Sequence, residues 1–306
     1  MKKLFLLIFL LSPTLASACE VCGCSGSSFY LGVLPQFQKH FVGLRYRTQS
    51  YDTRLTLHHA GTIYDSREEF RAIDLWGRFY PHPRIQVLAM LPYQINKQTQ
   101  GPDVRRHQGI GDATVLVNYK LLDKTRMSDS GRVVKQTLLV GGGTKLATGE
   151  YRYNQYDGAQ VANPNFQAGT GAYDAVFNAI YTLRIDKWGM NADATGRLTG
   201  TNANDYRFGN RLNSSITGFY VQQWEKLDVA IMPSAGFYGE LAHKDRDYAG
   251  IVAETGGYML AGTVGLDIYR GNWMMGVNAQ IPVSQRISEG LVQAHSRVGV
   301  HLARTF

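Results

Sequence analysis

Three cysteines near the start of the sequence are the residues whose spacing most clearly suggests chemistry. Cys19, Cys22 and Cys24 lie close together, and the sequence has no other cysteine. Thiolates at this spacing can converge on one soft metal ion, and three of them suit Cu(I) or Zn(II). Two alternatives stay open: a disulfide between two cysteines with the third thiol free, or a lipid anchor on Cys19. No cofactor is expected to be required.

A short apolar segment precedes these cysteines. Lys2 and Lys3 are followed by the apolar run 4–11, and Ala16-Ser17-Ala18 has the small residues of a signal-peptidase site. The pattern predicts a cleaved secretory signal over residues 1–18. No later run approaches the ~20 consecutive apolar residues that a membrane-spanning helix needs.

Several functional classes lack their usual sequence signals. There is no Gly-x-Ser-x-Gly element and no His-Glu-x-x-His motif, and no Gly-Lys-Ser/Thr follows the glycines at 141–143. The formal net charge is +8, but the basic residues are scattered rather than grouped. We therefore expect neither an enzyme nor a nucleic-acid-binding protein.

Alternation of apolar and polar residues is the main structural pattern, with the period of two that indicates β-strands. Glycine (33 residues) and tyrosine (18 residues) are abundant. Pro92 and Pro233 fall inside predicted strands, where bulges are expected because proline cannot donate a ladder hydrogen bond. The predicted strands are residues 41–49, 70–79, 84–95, 110–121, 134–147, 172–184, 189–200, 208–221, 227–239, 256–269, 273–283 and 294–306.

The predicted connections alternate between short and long, as the turns and outer loops of outer-membrane barrels do. Two connections deviate, since 122–133 is too long and 201–207 too short. The polar stretch 148–171 suits a large surface loop. We therefore predict an all-β fold, a transmembrane antiparallel up-and-down β-barrel of about 12 strands in the outer membrane of a Gram-negative bacterium. The barrel is expected over residues 39–306, residues 19–38 form a periplasmic cysteine-containing segment, and both termini are periplasmic.

Charged side chains collect on one face of the predicted strands and apolar side chains on the other. An Arg or Lys facing lipid at the membrane centre costs about 2–4 kcal/mol, so the charged face is predicted to line the lumen. The predicted lumen-lining residues are Arg45, Arg47, Asp74, Arg78, Asp112, Lys120, Lys145, Asp174, Asp193 and Arg197.

Four short motifs carry a family resemblance. They are Leu91-Pro92-Tyr93, Gly109-Ile110-Gly111-Asp112, Lys145-Leu146-Ala147-Thr148-Gly149 and Gly169-Thr170-Gly171-Ala172-Tyr173-Asp174. In this order they resemble the outer-membrane transporters named after the meta-pathway of phenol degradation, a family that usually has proline where this chain has Ala147. The resemblance implies a barrel that moves small and often hydrophobic compounds, and it brings no established catalytic residues.

Together these patterns predict an outer-membrane channel or transporter for small solutes, either hydrophobic or metal-related. The expected partners are outer-membrane lipid, lipopolysaccharide, the small-molecule solute and the barrel-assembly machinery. Phe306 is the aromatic end of an amphipathic strand, and such an end resembles the signal that this machinery recognises. Twelve strands lie between filled eight-stranded barrels and open sixteen-stranded porins. The alternative is therefore a non-conducting barrel that serves as a metal-binding or surface-display platform.

Overall fold

The computed structural model describes residues 39–56, 63–129, 131–152 and 164–306. The predicted signal, the segment 19–38 and the cysteines Cys19, Cys22 and Cys24 lie outside the described residues. Within the described ranges, no helix has the length and hydropathy needed to cross a membrane.

The described chain is built almost entirely from antiparallel β-strands, with three single-turn 3-10 segments at Pro164–Phe166, Glu225–Leu227 and Ser288–Gly290. The strands are β1 (Phe41–Thr56), β2 (Ile63–His82), β3 (Ile85–Gln100), β4 (Asp103–Ile110), β5 (Thr114–Met127), β6 (Val133–Lys145), β7 (Asp174–Ile185), β8 (Trp188–Leu198), β9 (Arg211–Tyr220), β10 (Gln222–Trp224), β11 (Val229–Ala242), β12 (Arg246–Asp247), β13 (Gly250–Ile251), β14 (Gly257–Arg270), β15 (Trp273–Ile287), β16 (Val292–Ala294) and β17 (Arg297–Thr305).

These strands close into one barrel. Sequential neighbours pair around the wall, β9 pairs with β11, and β1 pairs with β2 on one side and β17 on the other. Three wall strands are interrupted, so that β4 and β5, β9 and β10, and β16 and β17 each act as one strand, while β12 and β13 form a separate hairpin. The wall described here therefore has 12 strands, which confirms the predicted antiparallel barrel.

Several predicted boundaries move once the strands are seen. The two connections that deviated in length no longer do so. Strand β5 extends to Met127 and β6 begins at Val133, which shortens the connection predicted over 122–133. Strand β8 ends at Leu198 and β9 begins at Arg211, which lengthens the connection predicted over 201–207. The predicted long connections 50–69 and 96–109 were wrong in part. Strands β1 and β2 continue into residues 50–69, and β3 and β4 pair through most of 96–109. Ladder pairing can continue in this way beyond the membrane-spanning part of a hairpin.

The two ends of the barrel differ. Short connections join β2 to β3, β7 to β8 and β14 to β15 at the end where the chain enters and leaves the barrel, which we call the turn end. At the opposite end, the loop end, the connections include 199–210, 243–256 and the described parts of the segment between β6 and β7. That the turn end faces the periplasm stays a prediction.

The wall has an apolar outside and a mainly polar inside. Alternate residues of each strand point to opposite faces, and the outward residues are large, apolar and exposed. Such a surface is stable only against lipid, since water would hydrate it unfavourably. The exposed outward residues include Val42 (50%), Leu75 (50%), Phe79 (52%), Phe177 (56%), Ile216 (57%) and Val264 (53%).

Both strand prolines lie beside an interruption of a neighbouring strand. On β3, Met90 pairs with Thr114 of β5, and Tyr93 pairs with Ile110 of β4. Three residue steps along β3 therefore face four residue steps along the neighbouring chain. That extra residue accommodates Pro92 in the way a bulge does. Pro233 lies next to the break between β9 and β10, where pairing resumes without a shift, so the expected bulge is absent there.

Candidate functional site

The interior of the barrel brings the predicted lumen residues together. Nine of the ten lie on the interior face of a strand, and Asp112 lies in the interruption between β4 and β5. Eight of them are buried, while Arg47 and Arg197 are partly exposed. That these residues line a conducting lumen stays a prediction, but the structure shows how their charges are paired.

The first charged cluster joins β1 to β2. The register places Arg45 directly opposite Asp74, whose side chain is fully buried. The Nε atom of Arg45 donates to Oδ2 of Asp74 at 2.8 Å, and Arg47 donates to both carboxylate oxygens at 2.7 and 3.0 Å. The guanidinium of Arg45 also lies 5.2 Å from the ring of Trp76, close enough for a cation–π contact. Two guanidinium groups therefore share this carboxylate.

The second charged cluster crosses the interior. Arg297 on β17 donates from Nη1 to Oε2 of Glu240 on β11 at 3.1 Å, and from Nη2 to the hydroxyl of Tyr51 at 2.9 Å. Arg211 on β9 places its Nη1 atom 3.7 Å from Oε1 of the same carboxylate. Glu240 was not among the predicted lumen residues, because the predicted strand ended at residue 239. Continuing the alternation of interior residues from Tyr238 would have found it.

The third charged cluster unites three of the sequence motifs. Asp112 accepts hydrogen bonds from the backbone N–H groups of Gly149 (3.0 Å) and Thr170 (2.9 Å) and from Nζ of Lys145 (2.7 Å). Lys145 also donates to the hydroxyl of Thr170 and lies 3.4 Å from Asp174. These groups are almost completely buried, so their charges interact strongly. The motifs therefore form one structural anchor at the loop end.

This anchor holds part of the segment between β6 and β7 inside the barrel. Phe166 is buried, and its carbonyl oxygen accepts a hydrogen bond from Nδ2 of Asn96 at 3.0 Å. The phenyl ring packs near Phe70 within an apolar cluster that also includes Tyr51 and Tyr238. The expected surface loop over 148–171 is therefore wrong for residues 165–170, which turn inward because Asp112 and Asn96 satisfy their backbone groups.

Glycines allow the anchor to close. An added Cβ at Gly169 would lie 2.6 Å from Oδ1 of Asp112 and equally close to the backbone of Gly149. A Cβ at Gly149 would in turn lie 2.7 Å from Gly169. Two backbone segments therefore approach each other more closely than any other residue type permits, which explains the glycines of these motifs.

The remaining predicted residues have other partners. Lys120 forms an ion pair with Asp123 at 2.9 Å, Asp193 accepts a hydrogen bond from Ser215, and Arg78 donates to the carbonyl of Lys39 at 3.2 Å. Arg197 lies 3.7 Å from Asp174 and so extends the loop anchor. His301 and Asp267 also meet in the interior, with 3.0 Å between Nε2 and Oδ1.

A second apolar cluster occupies the interior. It joins Phe41, Met274 and Ala303, which lie near strand termini at the turn end, to residues farther along the wall. The other members are Trp76, Leu88, Leu116, Leu139, Val176 and Ile180. The interior is thus a set of charged clusters with apolar clusters beside them.

The loops 199–210 and 243–256 are joined through one buried carboxylate. Asp245 accepts hydrogen bonds from the hydroxyl of Tyr206 at 2.7 Å and the N–H of Gly209 at 2.6 Å. Burial raises the pKa of Asp245, and these two hydrogen bonds offset only part of that effect. Across the described part of the chain, no group of three or more His, Cys, Asp or Glu side chains could hold a metal ion.

Solved structures include barrels of similar fold. Neither a protein-family model nor a curated protein matches the sequence. The chain is similar to the COG4313 outer membrane channel from Pseudomonas putida F1, with a TM-score of 0.57, 12% identity, and coverage of 92% of this chain and 98% of that one. The beta domain of the Bordetella autotransporter Brka covers 87% of this chain and 99% of its own, with 11% identity and a TM-score of 0.47.

The comparison with the Pseudomonas channel bears on the fold alone, because the sequences are so different. A closed antiparallel barrel that is apolar outside and polar inside is the solution by which β-strands span an outer membrane, since every backbone group is paired within the wall. The predicted location is thereby confirmed, and the chain has the fold of a bacterial outer-membrane β-barrel channel.

Proposed function

We propose that this protein is an outer-membrane channel for small solutes. The observation that carries the proposal is the charged interior of a closed barrel whose outside is apolar. Buried charges are costly to desolvate, and an interior with three charged clusters is poorly suited to serve only as a packed core. The fold shared with the Pseudomonas channel supports the same function. The proposal includes no catalytic step.

The resemblance of the motifs to the phenol meta-pathway transporters suggests hydrophobic solutes as one class of cargo. The apolar cluster around Trp76, Leu88 and Leu116 supports this class, because apolar side chains inside the barrel can contact a passing hydrophobic compound. Lipopolysaccharide and the barrel-assembly machinery remain predicted partners.

The proposed channel is tested by conductance in planar lipid bilayers. The purified protein should insert and pass stepwise currents, whereas a sample unfolded before addition should not. Absence of current from folded protein would contradict the proposal.

A non-conducting platform is the second candidate. It is favoured by the inward position of Phe166 and by the apolar clusters beside the charges, which together occupy much of the described interior. If folded protein passes no current even when the loop anchor is broken, this second function is the better one.

We also propose that Cys19, Cys22 and Cys24 bind a soft metal ion, Cu(I) or Zn(II). Support for this part of the proposal comes from the number and spacing of the thiolates alone.

A further inference from the structure

A small cavity lies on the inner side of the wall between β1, β15 and β17. Its volume is about 40 Å³, and its lining includes Arg45, Arg47, Gln49, Asn278, Gln280 and Arg297. A water molecule needs roughly 10–15 Å³ of such space, so the cavity has room for about three non-hydrogen atoms. It is therefore large enough for a small charged group.

The charge of this lining is positive. Three guanidinium groups contribute to it, and no carboxylate lies among the described residues that line the cavity. Asp74 contacts two of the arginines and Glu240 the third, but neither acid lines the cavity itself. The polar lining side chains other than the arginines include the amides of Gln49, Asn278 and Gln280, which can donate hydrogen bonds without adding negative charge.

One of these amides points to a missing acceptor. Gln280 is 4% exposed, and its Nε2 atom has no hydrogen-bond partner among the described residues. The β15–β17 register places Gln280 directly opposite Arg297, so the amide donor and this guanidinium belong to the same row of the wall. Because a buried N–H group is costly to leave unbonded, this arrangement calls for an acceptor.

We propose that this cavity binds the carboxylate group of a small organic anion on its path through the barrel. Guanidinium forks match the planar geometry of a carboxylate, and such charge-assisted hydrogen bonds are stronger than those between neutral groups. The three atoms of a carboxylate fit the available space. The inference rests on the proposed channel function, and it adds small organic anions to the solutes that the channel would carry.

The experiment uses propionate and its uncharged counterpart propionamide, which have nearly the same size. Binding to the detergent-solubilised full chain is measured by ligand-observed NMR titration, and inhibition of chloride current is measured in planar bilayers. Propionate should bind and reduce the current, while propionamide should do neither at the same concentration. Because binding is measured separately, a protein that binds propionate but passes no current would overturn the channel function and leave the site intact.

Two variants and one control test the lining. Arg47→Gln should weaken propionate binding on the order of tenfold, because it removes a charge-assisted contact. Gln280→Leu should weaken binding severalfold without altering net charge, and it is expected to fold because it removes a buried donor that lacks a partner. Arg71→Gln, on an exposed residue outside the cavity, makes the same charge change as Arg47→Gln and should have no effect.

The inference would be overturned by equal binding of propionate and propionamide. It would also be overturned if folded Arg47→Gln and Gln280→Leu both bound propionate as tightly as the parent protein does.

Discussion

Glu240 and Arg297 form an ion pair across the inside of the barrel, with 3.1 Å between Oε2 and Nη1, although β14 and β15 separate their strands along the wall. A contact between strands that do not pair ties two separate parts of the wall together. The same carboxylate also faces Arg211, so it balances two buried cations.

Replacing Glu240 with Gln should therefore destabilise the barrel. Removing one member of a buried ion pair typically costs about 3–5 kcal/mol, because the remaining charge is left without compensation. Guanidinium-induced unfolding in lipid vesicles measures this free energy. Glu225→Gln, in the exposed turn before β11, is the control and should change it little. Equal stability of both variants would show that the pair contributes nothing.

Replacing Lys145 with Met should release the segment around Phe166. Loss of a charged hydrogen-bond donor costs about 1.5–3 kcal/mol, which raises the population of the open segment tenfold or more. Chymotrypsin cleavage after Phe166 should accelerate accordingly, and single-channel conductance should rise. Gly169→Ala should act in the same direction, since its Cβ would clash with Asp112.

Lys226→Met, at an exposed position of the turn end, serves as the matched control for Lys145→Met. If Phe166 stays as resistant to chymotrypsin in the Lys145 variant as in this control, the anchor does not hold the segment.

Placing an arginine at Val264 should destabilise the protein in membranes. Val264 lies near the middle of β14 with its side chain exposed on the outer face, where an arginine would meet lipid. The expected cost is about 2–4 kcal/mol at the membrane midplane. Leu227→Arg, in the turn before β11, should cost far less when both are unfolded from vesicles. A similar cost at both positions would contradict the assignment of the outer face to lipid.

The loops 199–210 and 243–256 should become more tightly joined as pH falls. Burial raises the pKa of Asp245 in the folded loops above its value in an opened segment. The folded form thus binds the proton more strongly, so stability is gained as pH falls through the folded pKa and lost as pH rises. Hydrogen exchange of the Gly209 amide should report slower opening at acidic pH, after correction for intrinsic exchange rates. Asp245→Asn should remove most of this pH dependence.

The cysteine hypothesis predicts a mass change. Mature protein isolated under mild conditions should begin at Cys19 and gain the mass of copper when Cu(I) is added. Replacing Cys19, Cys22 and Cys24 with serine should abolish the gain. A mass raised by acyl chains would instead identify Cys19 as a lipid anchor, and a loss of two hydrogens would indicate a disulfide.

The interior face of the barrel was largely predictable from local pattern. Residues such as Arg45 and Asp74 alternate with apolar neighbours, and a charge cannot face lipid cheaply, so their side of the wall follows from sequence position. The loop anchor was not predictable in the same way. Asp112 and Thr170 are far apart in sequence and meet only because a segment outside the regular strands folds back into the barrel.

Sequence alone therefore determined the strand period, the number of wall strands and the polarity of each face, because these depend on backbone geometry and on the transfer energy of single residues. Only the tertiary structure decided which charges meet. The pairing of Glu240 with Arg297 and the cavity beside Arg47 and Gln280 depend on strand register and barrel closure, which bring together residues that no local pattern relates.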